Sequence, residues 1–106
     1  FMLIKPEIER KPVIQKGDLI IDPQCFLVRL NGKAIDLYPK EFDVLFLLTQ
    51  YPGWVLSIEQ IYEAVWKGEA HDCEYVVYNT ICQIRKKLNH PKMIETVINR
   101  GYKFVG

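Results

Sequence analysis

Residues 75–89 read YVVYNTICQIRKKLN. Turned at about 100° per residue, Val77, Ile81, Ile84 and Leu88 fall on one stripe, and such a stripe has to face a core. The spacing therefore predicts an amphipathic helix over 75–89. Opposite the stripe stand Tyr75, Asn79, Cys82, Gln83 and Lys86, with Thr80 and Lys87 on one flank and Tyr78 and Arg85 on the other. An ordinary solvated helix more often mixes Glu with Lys on its outer face, yet no acid occurs between Tyr75 and Asn89. Asn and Gln side chains can each donate to and accept from an adenine edge, and the major groove of a duplex is wide enough to admit a helix. On such a helix, flanking Thr80, Arg85 and Lys87 are expected to point toward the phosphate walls, which set register, with the amides between them positioned to read bases.

Charge along the chain agrees with that orientation. The formal net charge of +1 hides an asymmetry: residues 1–74 hold 8 Lys or Arg against 12 Asp or Glu, a balance of −4, whereas residues 75–106 hold 6 against 1, a balance of +5. A basic final third on an acidic body is the footprint of a polyanion-binding surface.

The remaining composition excludes more than it assigns. A chain of 106 residues, 49% hydrophobic, is sized for one domain with a modest core. No apolar run approaches the ~18 residues of a membrane span, and the N-terminus lacks a signal peptide's apolar stretch, so the expectation is a soluble, cytoplasmic protein. Cys25, Cys73 and Cys82 are odd in number and form no C-x-x-C pair, which predicts buried or idle thiols rather than a disulfide or zinc site. Neither His71 nor His90 belongs to a metal-ligand or catalytic pattern. The expectation is therefore no enzyme, no metal and no cofactor.

Outward from the helix, the chain reads as α+β. Residues 1–16, with Lys5-Pro6 and Lys11-Pro12, show no sustained period and read as a linker or expression remnant, which places the domain at 17–106. From Asp18 the pattern is β: Leu19 to Ile21, a turn at Asp22-Pro23-Gln24, then Phe26, Val28 and Leu30 alternating with Leu27 and Arg29. Asn31-Gly32, followed by Lys33 to Leu37, is a strong hairpin signal. Pro39 opens a helix carrying Phe42, Leu45, Phe46 and Thr49, expected to be the most buried one, and Tyr51-Pro52-Gly53 stops it. Ser57 and Gln60 form a capping box for a second helix whose inner face is Ile58, Ile61, Tyr62, Val65 and Trp66, ending near Lys67-Gly68. After the polar segment 67–74 and the 75–89 helix, Asn89-His90-Pro91 is a stop. Ile94 to Ile98 and Tyr102 to Val105, joined by Asn99-Arg100-Gly101, read as a hairpin with Arg100 at its tip and Lys103 just beyond. A tip bearing Arg can enter a neighbouring minor groove.

That order of sheet, three helices and hairpin, together with the stretches AVWKGE, QIRKKLN and ETVINRGYKF, resembles the winged helix-turn-helix effector domain of OmpR/PhoB-type bacterial response regulators over about Gly17 to Val105. The resemblance implies sequence-specific binding of double-stranded DNA for transcription regulation, as the output domain of a two-component system. Helix 75–89 is then the recognition helix and hairpin 95–105 the wing. It further implies base or phosphate contacts from Tyr75, Asn79, Thr80, Gln83, Arg85, Lys87 and Arg100. Trp66 matches a tryptophan that often packs near the DNA backbone. A receiver domain upstream, tandem binding to direct repeats, and an RNA polymerase contact through loop 67–74 with Glu69, Asp72 and Glu74 follow from the same likeness.

Departures from the family pattern bear on specificity. Thr80 stands where His is common, Tyr75 and Gln83 where Arg is frequent, and Ile98-Asn99-Arg100 where the wing usually reads Arg-Gly-x. Fewer helix charges predict a shallower salt dependence, and Gln83 predicts adenine over guanine at its position. The missing basic residues also leave an alternative, a winged-helix protein-interaction module that has lost DNA binding.

Overall fold

The computed structural model describes residues 12–67 and 73–105. Two tight turns organise its beginning. Gly17-Asp18 and Asn31-Gly32 each leave two residues between paired strands. Gly17, Asn31 and Gly32 take φ of 58°, 53° and 79°, the positive values that let a two-residue turn follow the twist of its strands. The result is an antiparallel sheet in the order β1 (Ile14–Lys16), β2 (Leu19–Asp22), β3 (Leu27–Leu30) and β4 (Lys33–Ala34). Leu19 and Ile21 of β2 and Val28 and Leu30 of β3 turn to the core.

Three details depart from the sequence expectation. The boundary at 16/17 cuts through structure, because Ile14–Lys16 pairs with β2 through Ile14↔Ile21, Gln15↔Ile20 and Lys16↔Leu19. Three residues are too few to show a period, and their place is set by backbone pairing. Phe26 does not share the inward face of Val28 and Leu30: it sits in the turn at φ 53°, 70% exposed, with its ring edge-on to Phe42 at 5.3 Å. β4 is only two residues long; beyond it the Ile35 N–H still donates to the Val28 carbonyl of β3 at 2.8 Å, and Ile35 and Leu37 pack partly buried against the core.

Pro39 opens α1 (Pro39–Gln50), and the Glu41 carboxylate reaches back to accept the Tyr38 backbone N–H at 2.9 Å. Ser57 caps α2 (Ile58–Trp66) reciprocally. Its hydroxyl accepts the Gln60 N–H at 3.0 Å, and the Gln60 side chain accepts the Ser57 N–H at 2.9 Å. Left-handed Lys67, at φ 56°, ends the helix. α3 (Cys73–Leu88) begins two residues ahead of Tyr75 and packs against both α1 and α2.

After a single 3-10 turn, Pro91–Met93, the chain forms the hairpin β5 (Ile94–Val97) and β6 (Gly101–Phe104). Its connecting loop is 98–100 rather than 99–101, because Gly101 is drawn into the ladder opposite Val97. Leu56, just ahead of α2, adds a third edge: it donates to the Tyr102 carbonyl at 2.9 Å and accepts from the Tyr102 N–H at 3.0 Å. Gly101 passes so close beneath that a Cβ would lie 1.9 Å from the Leu56 oxygen. Residues from the first sheet, all three helices and the hairpin join in one buried cluster.

Candidate nucleic-acid interface

The stripe Val77, Ile81, Ile84 and Leu88 is buried, which fixes the rotation of α3 and decides what it shows outward. Tyr75 is 67% and Tyr78 56% exposed, and Asn79, Gln83 and Lys86 are exposed with them. Cys82 is half-buried beside Tyr78. The hydrogen bond between them raises the Tyr78 phenol above its ordinary pKa, with Arg85 acting in the opposite direction. Thr80 is half-buried, and its hydroxyl donates to the Val76 carbonyl at 2.9 Å.

The flanking cations are engaged within the fold. The Lys87 ammonium lies 2.6 Å from the carboxylate of buried Glu41 and 4.0 Å from the centre of the Tyr38 ring. It ties the end of α3 to the start of α1. Arg85 faces the wing: Nε and Nη2 donate to the Ile94 carbonyl at 3.2 and 2.7 Å, and Nη2 also donates to Thr96 Oγ1 at 2.8 Å. Its guanidinium stands 5.8 Å from the Tyr102 ring centre. Burial raises the pKa of that Tyr102 phenol, with Arg85 acting in the opposite direction. Two residues placed by the sequence on phosphate-facing flanks therefore hold α3 to its neighbours. Lys86, between them, is exposed with no carboxylate partner among the described residues.

At the other end of the surface, the wing carries Ile98, Asn99 and Arg100 exposed at its tip, with Asn99 left-handed at φ 63°. Lys103 lies 3.3 Å from Glu95 directly across the hairpin, a partly exposed pair. Trp66 stacks on Tyr62 at 5.4 Å and 10°, and the Lys40 ammonium donates to the Val65 carbonyl beside it. It is half-buried as part of the α1–α2 packing. Between α3 and the wing runs a cleft lined by Ile58, Cys73, Glu74, Tyr75, Tyr78 and Tyr102. Tyr78 was not singled out in the sequence as a contact residue; its place on the wheel's flank was the available signal. Of the loop assigned to polymerase contact, 68–72 lies outside the described residues, and so does most of the 1–16 segment. Cys25 is exposed, Cys73 and Cys82 half-buried, and all three are free thiols.

The sequence profile described as "Transcriptional regulatory protein, C terminal" matches residues 32–104, from the last turn of the first sheet to the last strand of the C-terminal hairpin. The chain belongs to that family, the OmpR/PhoB-type effector domains. Among curated relatives, the Transcriptional regulatory protein CutR of Streptomyces coelicolor is 37% identical over 92 residues, covering 87% of this chain and 42% of CutR. The Transcriptional activator CadC of Escherichia coli is 32% identical over 101 residues, covering 91% of this chain and 20% of CadC. The chain thus spans less than half the length of these relatives. Among solved structures, the Klebsiella pneumoniae RstA DNA-binding domain in complex with the RstA box superposes with a TM-score of 0.82 at 29% identity, covering 90% of this chain and 98% of that one. The Thermotoga maritima response regulator DrrB, an OmpR/PhoB homologue, gives 0.78 at 37% identity, covering 89% of this chain and 44% of DrrB. No helix among the described residues is long and apolar enough to cross a membrane.

Proposed function

We propose that this domain binds double-stranded DNA sequence-specifically, with α3 in the major groove and hairpin 95–105 at the adjacent minor groove, as the output module of a two-component response regulator. The observation that carries it is the acid-free exposed face Tyr75, Asn79, Gln83 and Lys86 on a helix whose opposite stripe is fully committed to the core. The likeness to RstA, solved on its own DNA box, supports the same reading. Tyr75, Asn79 and Gln83 read base edges, Tyr78 and Thr80 lie at the groove margin, and Lys86 and Arg100 meet phosphate and minor groove. Arg85 and Lys87 act mainly by orienting α3, Lys103 braces the wing, and Trp66 supports the α1–α2 packing near the DNA backbone. Two copies sit head to tail on direct repeats, a receiver domain upstream supplies the signal, and loop 67–74 touches RNA polymerase. The cell compartment is the cytoplasm, and the domain carries out no catalysis.

Selection of bound duplexes from a random DNA pool tests this directly. A recurring short half-site, repeated in one direction and protected in footprinting, is the expected result. Recovery of no consensus, with affinity no greater than for random DNA, would favour the protein-interaction alternative.

A further inference from the structure

The wing tip pairs two unlike side chains. Ile98 is 80% exposed, the largest exposure among the large hydrophobic residues of the described chain, and it stands beside exposed Asn99 and Arg100. An exposed apolar side chain is ordinary on a loose surface loop, but this loop is closely held. The strands on either side are locked by the Leu56–Tyr102 bridge, by the fit of Gly101 under Leu56, and by Arg85 gripping Ile94 and Thr96. The same Arg85 belongs to α3, so the tip keeps a fixed relation to the recognition helix. A tip of three residues with one apolar side chain is far smaller than the ~800 Å² per partner of a standard protein interface. It does match a minor groove about 6 Å wide, whose walls are deoxyribose and whose floor carries the flush adenine N3 and thymine O2 acceptors at A·T pairs but is obstructed at G·C pairs by the protruding guanine 2-amino group.

We propose that Ile98 enters the minor groove alongside Arg100 and packs on the sugar walls and groove floor, so that the wing reads the absence of the guanine 2-amino group. Arg100 supplies the charge-dependent part of the contact, and Ile98 the salt-independent part. The inference rests on the DNA-binding reading above and adds to it a specificity determinant outside the recognition helix.

The test uses the 106-residue chain and a duplex recovered by selection, with the base pairs beneath the wing located by hydroxyl-radical footprinting. Those pairs are then made A·T, G·C or inosine·C. Inosine lacks the 2-amino group but keeps guanine's major-groove face, so it isolates the minor groove. The unaltered protein is expected to bind A·T and inosine·C duplexes about tenfold more tightly than G·C. Ile98→Ala is expected to weaken binding to the inosine duplex about fivefold at unchanged salt slope and to reduce discrimination to about twofold or less. Arg100→Ala should instead lower the salt slope by about 1. Thermal unfolding of Ile98→Ala, at an exposed position, should match the parent and so confirm that the variant is folded. Unaltered affinity in Ile98→Ala, full retention of discrimination, or a loss seen only on two-site duplexes would overturn the contact, the last result assigning Ile98 to a neighbouring copy. Those outcomes leave the DNA-binding reading standing. Failure of the unaltered protein to bind any selected duplex would remove both.

Discussion

Lys86 and Lys87 are adjacent and chemically identical, yet the fold gives them different work. Lys87 meets Glu41, 46 positions earlier in the chain, and a buried carboxylate deprived of its cation is costly. Lys87→Met is therefore expected to destabilise the domain by about 3 kcal/mol in urea unfolding, and a double-mutant cycle with Glu41→Gln should show strong coupling. Lys86→Ala should leave stability near the parent and lower the slope of log affinity against log salt by about 1, measured by fluorescence anisotropy on a selected duplex. Gln83→Ala should flatten the preference for adenine at one base pair and leave the salt slope unaltered, read by competition among single-pair variants. The sequence placed Lys86 on the outer face and Lys87 on a flank, but a pairing across 46 residues leaves no local trace. The same holds for Arg85, whose partners on the wing are supplied by tertiary packing.

At the scale of elements, α3 was legible because its stripe obeys a single periodicity and nothing competes with it. All four stripe residues are buried, as the spacing requires. The α1 and α2 starts were legible for a different reason: Pro39 lacks the N–H that a first turn would leave unpaired, and the Ser57/Gln60 box satisfies backbone groups three residues apart in sequence. What escaped were features defined by a distant neighbour. β1 has too few residues for a pattern, Phe26 follows the turn instead of the strand alternation, and the wing loop is shifted by one because Gly101 fits beneath Leu56. Gly101→Ala tests that last point. With φ at 146° and a Cβ driven to 1.9 Å from the Leu56 carbonyl, the variant must displace the wing or Leu56. A loss of roughly 3 kcal/mol or more is expected, seen as a drop of about 10 °C or more in the unfolding temperature. DNA affinity should fall as well, because the displaced wing loses its relation to α3.

Across the whole molecule, the buried cluster runs from the first sheet through the helices to the wing, so the recognition helix and the wing are parts of one packed body rather than independent arms. Separate probes of the domain, the Trp54 and Trp66 fluorescence and the helical circular dichroism, should accordingly report coincident unfolding transitions. The sequence disclosed this architecture through several separated stretches in the right order. It disclosed much less of which cations face DNA, since that depends on which ones the fold has already paired. With Arg85, Lys87 and Lys103 each engaged internally, the electrostatic footprint is smaller than a count of basic residues implies. The most direct measurement is the affinity for a selected duplex and for a scrambled duplex of equal length between about 50 and 200 mM salt. Log affinity should fall linearly with log salt at a shallow slope of about −3 to −5, and the selected duplex should bind about a thousandfold or more tightly than the scrambled one. Equal affinity for the two duplexes, or binding indifferent to salt, would contradict the assignment of α3 to the major groove.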